Sequence, residues 1–504
     1  MTGNLFDAVM ERSPGGHRTF LEVPGGPVFT YGDLADWSAR YANALLAVGV
    51  RKGDRVAVQT SKLADCLWLY LGCLRVGAVY LPLNTAYTPA EVDYFLRDAE
   101  AALFVCDASR LDAVSEMAKA AGVGAIETLD PSGEGSLQRK AAATTASFET
   151  VDIGDDDLAA ILYTSGTTGR SKGAMISHEN LRSNAAALAE IWRFTSDDVL
   201  LNALPIFHTH GLFVATNTVL MSGASMLFQP RFDLDAMIAL IPRATVMMGV
   251  PTFYIRLLGD PRFDRELTAN MRLFISGSAP LSADIHQQFS ARTGHNILER
   301  YGMTETNMIT SNPYDGTRKP GAVGFPLPGV DLRIADPETG TPLPQGEVGV
   351  IELKGSNVFK GYWRMPEKTA EEFRSDGYFT TGDLGFIDGD GYVTISGRGK
   401  DLIISGGFNV YPAEIETALD SQAEVAESAV IGIPHPDFGE GVVGVVVAAN
   451  GGTVDEGELR RRLETELAKF KVPKRIVTVD ELPKNTMGKI QKNVLRETYK
   501  GLFS

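Results

Sequence analysis

The sequence has few cysteines, and their arrangement does not indicate a disulfide framework. Only three occur among 504 residues, at Cys66, Cys73 and Cys106, and no two of them form a C-x-x-C pair. Such a set fits neither a disulfide-stabilised secreted protein nor a cysteine zinc site. Because the three lie in apolar runs, we expect buried, reduced thiols in a cytoplasmic protein.

Segments that would direct the chain into or across a membrane are also missing. Residues 1–12 include the acidic Asp7 and Glu11, where a signal peptide has a basic start and an apolar core. The most apolar later stretch, residues 212–228, is interrupted by the polar Asn217 and Ser222, so it does not read as a bilayer span. We therefore expect no membrane partner.

The chain has fewer positively charged than negatively charged residues. The chain has 47 Lys and Arg residues against 63 Asp and Glu residues, and its formal net charge is −16. Nucleic acids and anionic membranes would repel most of such a surface, so neither is an expected partner. If the substrates are small anions, local groups of positive side chains must bind them.

The hydrophobic pattern predicts an α/β protein with more than one domain, because 504 residues exceed a single ordinary core. Short β-branched runs at residues 55–59, 79–82 and 102–106 alternate with helical segments, which is typical of βαβ units. A second layer of the same kind follows, with expected strands at 158–163, 245–250 and 272–276. We therefore expect two βα-layered subdomains.

The pattern changes twice in the last third of the chain. Between about residues 320 and 398, Asp-Gly turns separate short alternating strands, which indicates a small β-rich subdomain. A strand at 428–433 and a helix at 456–468 then indicate a small α+β domain. We predict an N-terminal domain over 1–398 and a C-terminal domain over 399–504.

The first motif with chemical content is Tyr163-Thr-Ser-Gly-Thr-Thr-Gly-Arg-Ser-Lys-Gly173, which directly follows an expected strand. Its glycines let the backbone approach an anion, and its hydroxyls and cations supply hydrogen-bond donors, so it is suited to polyphosphate. It lacks the G-x-x-x-x-G-K-[ST] order of a Walker loop. The alternative interpretation of the run by itself is a flexible surface turn.

This run resembles the phosphate loop of the adenylate-forming superfamily, which includes the acyl-CoA synthetases. Further motifs of that family follow in its order over essentially the whole chain: Ser276–Pro280, Arg300–Glu305, Tyr378–Asp383, Gly397–Arg398 and Pro483–Ile490. The resemblance implies that these residues contact ATP or AMP: Thr164, Ser165, Gly166, Thr167, Thr168, Gly169, Lys172, Ser276, Gly277, Ser278, Ala279, Pro280, Glu299, Arg300, Tyr301, Gly302, Met303, Thr304, Asp383 and Arg398.

The resemblance also implies a reaction in two steps. A carboxylate attacks the α-phosphate of ATP, diphosphate leaves, and the thiol of coenzyme A then displaces AMP from the acyl-adenylate. The implied catalytic residues are Lys489, Glu305, Thr164 and His208, of which Thr164 and Glu305 are the expected Mg²⁺ ligands. A mobile C-terminal domain would turn about Lys400 between the steps and bring Ser405, Gly406 and Gly407 to coenzyme A.

Several segments resemble the malonate-activating branch of the family. The expected acyl pocket is formed by His208, Thr209, Thr252, Arg256, Ser276 and Met303. A second, ionised carboxylate needs a buried cation as partner. Arg256 is the first candidate, because it lies one helical turn beyond Thr252, and Arg300 and His208 are the alternatives.

Other functions remain open at this stage. Within the family they are a synthetase for methylmalonate or another short or aryl acid, and an enzyme that loads a carrier protein. A nucleotide-binding protein without catalysis would be expected to lack some of Glu305, Asp383, Arg398 and Lys489, and all four are present. The oligomeric state, monomer or homodimer, is also open.

Overall fold

The computed structural model describes residues 3–164, 171–405, 408–436, 438–467, 469–485 and 488–503. Its strands form sheets of six, nine, four and five strands. This is the α/β architecture that the hydrophobic pattern predicts. Among the described residues, no helix combines the length and the apolar character that a bilayer crossing requires.

The first part of the chain builds a six-stranded sheet in the order β6-β5-β3-β4-β7-β8. All neighbours pair in parallel except β7 and β8, which are antiparallel and flank the phosphate-loop motif. The elements are α1 (Leu5–Met10), β1 (Thr19–Glu22), β2 (Val28–Thr30), α2 (Tyr31–Ala47), β3 (Arg55–Gln59), α3 (Ala64–Val76), β4 (Val79–Pro82), α4 (Pro89–Asp98), β5 (Ala101–Asp107), α5 (Leu111–Ala120), β6 (Ala125–Leu129), α6 (Ser136–Ala142), β7 (Leu158–Thr164) and β8 (Lys172–Ser177).

Two of the three cysteines, Cys66 and Cys73, lie in the apolar helix α3. All but one of its thirteen residues are buried, and it ends where Gly77 adopts a left-handed φ of 74°, a conformation that suits glycine. Cys66, Cys73 and Cys106 are all buried and free. The prediction of buried, reduced thiols is confirmed.

The second part builds a nine-stranded sheet in the order β15-β14-β13-β12-β11-β9-β10-β1-β2. The N-terminal strands β1 and β2 join this sheet, which the sequence pattern does not reveal. The elements are α7 (His178–Ile191), β9 (Val199–Asn202), a π-helix (His210–Thr216), α8 (Asn217–Ser222), β10 (Ser225–Phe228), α9 (Leu234–Leu240), β11 (Val246–Gly249), α10 (Pro251–Leu258), β12 (Leu273–Ser276), α11 (Ala283–Thr293), β13 (Leu298–Met303), β14 (Asn307–Ser311) and β15 (Phe325–Pro326).

A four-stranded antiparallel sheet, β16-β17-β18-β19, follows as the expected β-rich part. The fully buried Glu352 of β17 bonds to Arg333 at 2.8 Å and to Arg374 at 2.6 Å, so its charge is compensated. The elements are β16 (Val330–Ala335), β17 (Gly349–Gly355), α12 (Pro366–Glu371), β18 (Phe379–Ile387) and β19 (Val393–Arg398).

The C-terminal part packs helices on a five-stranded sheet whose centre is the long hairpin of β22 and β23. The expected helix 456–468 forms and ends at Glu466. The elements are β20 (Ile403–Ser405), β21 (Phe408–Val410), α13 (Pro412–Asp420), β22 (Val425–His435), β23 (Gly439–Ala448), α14 (Glu456–Glu466), β24 (Arg475–Val479) and α15 (Lys492–Tyr499). The domain boundary at residue 399 stays a prediction.

Candidate active site

The site begins at one edge of the nine-stranded sheet, where parallel strands end together. Gly249 of β11 pairs with Ser276 of β12, which pairs with Glu299 of β13. The residues that directly follow these paired positions therefore lie side by side, and Gly277 and Arg300 are two of them. Carboxyl ends of parallel strands are the usual place for ligands in such sheets.

A buried polar group lies at this edge. His208, Thr209 and His210 precede and open the π-helix, and Arg300 comes from β13. Five atoms at this edge are among the buried side-chain atoms that lack a hydrogen-bond partner in the described part of the chain: Thr209 Oγ1, His210 Nε2, Ser276 Oγ, and Nε and Nη2 of Arg300. Buried polar atoms are normally satisfied, so this concentration indicates a polar ligand.

The electrostatics of this group indicate that the ligand is an anion. Burial lowers the pKa of Arg300 to about 9. Burial, followed by repulsion from Lys489 and Arg300, lowers the pKa of His208 to about 3, and burial, followed by repulsion from Arg300, also lowers the pKa of His210. The guanidinium has no carboxylate partner among the described residues. A buried, unpaired cation is costly, and an anion would relieve that cost.

Gly277 and Ser278 bring the backbone against the guanidinium of Arg300. A Cβ at position 277 would lie 2.3 Å from Cζ of Arg300, so any other residue there would require the guanidinium to move. Ser278 adopts a φ of 72°, and its Oγ lies 3.2 Å from Nδ1 of His210. Residues 277 and 278 thus lie against Arg300 and His210, and the contact of Ser276–Pro280 with the nucleotide stays a prediction.

Tyr301 and Asp383 form a second buried group, and the exposed Arg398 lies beside them. The hydroxyl of Tyr301 donates to Oδ2 of Asp383, and Nε of Arg398 lies 3.1 Å from Oδ1. Burial and the neighbouring Asp383 raise the pKa of Tyr301 well above its usual value, and Asp383 raises the pKa of Arg398. The structure therefore joins β13 to the β18–β19 hairpin, as the family motifs imply.

Glu305 lies in the turn between β13 and β14. Its side chain is buried, and Oε1 accepts a hydrogen bond from the Tyr362 hydroxyl at 2.9 Å. Burial raises the pKa of this carboxyl, and no described residue forms an ion pair with it. A buried carboxylate without a cation, together with the Thr164 hydroxyl at the end of β7, provides the oxygen ligands that Mg²⁺ prefers.

Lys489 approaches these groups from the C-terminal part. A Cβ on the preceding Gly488 would lie 3.6 Å from Cγ2 of Thr252. Loss of surrounding water, followed by repulsion from Arg398, lowers the pKa of Lys489, while Asp383 and Glu305 act in the opposite direction. The ammonium thus lies within electrostatic reach of both buried groups.

Other expected site residues lie at the periphery of this arrangement. Arg256 is exposed on α10, with its guanidinium 5.7 Å from the ring centroid of Phe232. The carboxylate of Glu299 faces His286, at 3.5 Å, and Ser405 is buried in β20. Lys400 is exposed in a 3₁₀ turn.

Seven expected residues lie outside the described part of the chain: Ser165, Gly166, Thr167, Thr168, Gly169, Gly406 and Gly407. Two residues that the sequence reasoning did not assign do contact the site. Tyr362 bonds to Glu305, and His210 bonds to Ser278. The repeated histidine in His208-Thr209-His210 could have indicated His210, whereas no local signal distinguishes Tyr362.

Comparison with known proteins agrees with this geometry. Residues 6–363 match the family model of AMP-binding enzymes, and residues 414–489 match that of the AMP-binding enzyme C-terminal domain. The chain is 59% identical to ATP-bound MatB from Rhodopseudomonas palustris, with a TM-score of 0.98 and 100% of both chains covered. It is 37% identical to a feruloyl-CoA synthase from Amycolatopsis sp, covering 94% of this chain and 95% of that one. It is 34% identical to a malonate–CoA ligase from Arabidopsis thaliana, covering 94% and 85% respectively.

The imidazole of His208 is expected to remain neutral throughout the range from about pH 5 to pH 8, in which histidine ordinarily titrates. The reason is its depressed pKa of about 3, caused mainly by burial. The ring signals of His208, assigned by comparison with the His208→Asn variant, would be followed by NMR across this range. A titration midpoint near pH 6.5 would contradict the buried, cation-flanked environment.

Proposed function

The chain belongs to the AMP-binding enzyme family, and from this premise we propose that it is an acid–thiol ligase that forms malonyl-CoA from malonate, ATP and coenzyme A, with release of AMP and diphosphate. The observation that carries the choice of malonate is the unpaired guanidinium of Arg300 in a buried polar pocket. An acid with a single carboxylate would leave this cation without a partner once that carboxylate has reacted with ATP.

The geometry of Arg300 suits a carboxylate. Its unpartnered atoms are Nε and Nη2, which form the edge that binds both oxygens of a carboxylate at once. Nε2 of His210 and the Thr209 hydroxyl are further polar atoms without partners. Arg256 is exposed on α10 and has no ion pair among the described residues.

In the first half-reaction the substrate carboxylate attacks the α-phosphate of ATP. Tyr301 would stack on the adenine, while Asp383 accepts hydrogen bonds from the ribose. Thr164 and Glu305 would hold Mg²⁺, which when bound neutralises charge on the phosphate oxygens. Lys489 donates hydrogen bonds to the oxygens on which negative charge develops. No covalent bond to the protein is needed.

In the second half-reaction the thiol of coenzyme A attacks the carbonyl of the acyl-adenylate, and AMP leaves. Ser405, with Gly406 and Gly407, would approach the thiol after the C-terminal part turns about Lys400. Such a rotation withdraws Lys489 from the phosphate, so one active site serves two reactions in sequence. The buried, free cysteines agree with a reducing compartment, and we place the enzyme in the cytoplasm.

An aryl acid is the second candidate substrate, because the feruloyl-CoA synthase is a slightly closer relative than the malonate–CoA ligase. An aromatic ring would bury apolar surface against the unpartnered atoms of Ser276 and Arg300 and leave their hydrogen bonds unmade. That penalty is about 1–3 kcal/mol for each buried polar group. The polar pocket therefore favours the dicarboxylate.

The purified enzyme is expected to release AMP and diphosphate with malonate, and much less with ferulate or butyrate. The assay would measure both products for each acid, with and without coenzyme A. Malonyl-CoA should form only when coenzyme A is present. Release of ADP with any acid would refute the adenylating mechanism, and a preference for ferulate would refute the choice of malonate.

Replacing the pocket arginines is expected to reduce malonate use selectively. Arg300→Gln should lower kcat/KM for malonate by about 100-fold, because a charge-assisted bond contributes about 1.5–3 kcal/mol, and Arg256→Ala should have a smaller effect. Use of butyrate should change little in either variant. Arg40→Ala is the control, since this guanidinium lies 5.7 Å from the Trp37 ring centroid and remote from the site. Equal losses for malonate and butyrate would place the second carboxylate elsewhere.

Lys489→Ala is expected to slow adenylation by about 100-fold or more, as loss of a transition-state donor typically does. Transfer from a supplied malonyl-adenylate to coenzyme A should be largely retained. Diphosphate release measures the first step, and thioester formation measures the second. Lys484→Ala is a suitable control, because Lys484 pairs with Glu427 at 2.7 Å. Equal loss of both steps would argue against the proposed role of Lys489.

A further inference from the structure

Residues 359–363 form a strap that joins two parts of the site. Gly173 and Met175 of β8 make three backbone hydrogen bonds with the strap, at 2.7, 2.8 and 2.9 Å. The first strap residue, Phe359, donates from its backbone nitrogen to the carbonyl of Glu305 at 2.8 Å. The strand after the phosphate loop and the Glu305 turn are therefore held together by one short segment.

Tyr362 is the strap residue whose side chain enters the site. Its hydroxyl donates a hydrogen bond to Oε1 of Glu305 at 2.9 Å, and Tyr362 is buried. Nζ of Lys172, the lysine of the phosphate-loop motif, lies 4.0 Å from the centroid of the Tyr362 ring, which is a favourable cation–π distance. One side chain thus contacts both the carboxylate and the lysine.

We propose that Tyr362 is a positioning residue that orients the Glu305 carboxylate for Mg²⁺ and, through its ring, holds Lys172 beside the phosphates. This inference rests on the proposed role of Glu305 as a metal ligand. The Tyr362 hydroxyl occupies one carboxylate oxygen, so the carboxylate cannot rotate freely and presents its other oxygen to the metal. Hydrogen bonds of this kind to ligating carboxylates commonly set metal affinity.

The packing around the strap allows the hydroxyl to be tested separately from the ring. The Tyr362 ring lies 4.9 Å from the Phe359 ring centroid, and Phe359 lies 5.3 Å from that of Phe379. A phenylalanine at position 362 would keep these contacts and the ring beneath Lys172. Tyr362→Phe therefore removes the bond to Glu305 and little else.

The test measures the metal directly. Mn²⁺ would be titrated, in place of Mg²⁺, into enzyme saturated with ATP, and binding would be followed by electron paramagnetic resonance. Tyr362→Phe is expected to weaken Mn²⁺ binding by about tenfold or more, the usual consequence of losing a hydrogen bond to a metal ligand. The dissociation constant of AMP, measured without metal by calorimetry, should stay unchanged and would show that the variant is folded.

Two further variants complete the design. Tyr31→Phe is the matched control, because its hydroxyl is buried and donates to the Ala224 carbonyl at 2.8 Å, so Mn²⁺ binding should equal that of the unmodified enzyme. The double variant, Glu305→Gln with Tyr362→Phe, should bind Mn²⁺ about as weakly as the Glu305→Gln variant, because the two residues act together. If the Tyr362→Phe variant binds Mn²⁺ as tightly as the unmodified enzyme, the inference is wrong. If the Glu305→Gln variant binds Mn²⁺ as tightly as the unmodified enzyme, the proposed metal role of Glu305 is wrong instead.

Discussion

The parallel pairing of β11, β12 and β13 is the constraint on which the rest of the site depends. Because Gly249, Ser276 and Glu299 are paired across these strands, the following loop residues emerge side by side. Gly277 then lets the Arg300 guanidinium lie directly against the backbone, in a position that a Cβ at 277 would displace. A shift of one residue in this pairing would turn the side chains of β13 to the opposite face and dismantle the pocket.

The charges within the site follow from that arrangement. The chain as a whole carries an excess of negative charge, yet Arg300, Lys489, Arg398 and Lys172 converge on one region. The lowered pKa of Arg300 expresses the cost of burying a cation, and repulsion from Arg398 contributes to the lowered pKa of Lys489. Such a cost is typical of a site that binds an anionic ligand, because the negative charge of the bound ligand compensates the cations.

Two buried carboxylates in the site have different surroundings. Asp383 is bonded to Tyr301 and Arg398, so its charge is compensated within the protein. Glu305 has a tyrosine hydroxyl but no ion pair among the residues that the structure describes. The first arrangement suits a carboxylate that accepts hydrogen bonds from a ribose, and the second suits one that binds a metal ion. The contrast supports separate roles for two residues of the same chemical type.

The fold class and the family could be predicted from the sequence, because hydrophobic periodicity and short motifs are local properties. The strands at 55–59 and 158–163 and the motif order from Thr164 to Lys489 could be recognised without coordinates. Which side chains meet, in contrast, depends on how the strands pair in the folded chain. Arg256 was the first expected cation and lies exposed, whereas Arg300 is buried without a partner, and burial cannot be known before the strands are paired. The contacts of Tyr362 with Glu305 and of His210 with Ser278 join residues 57 and 68 positions apart, and only the folded chain brings such distant residues together.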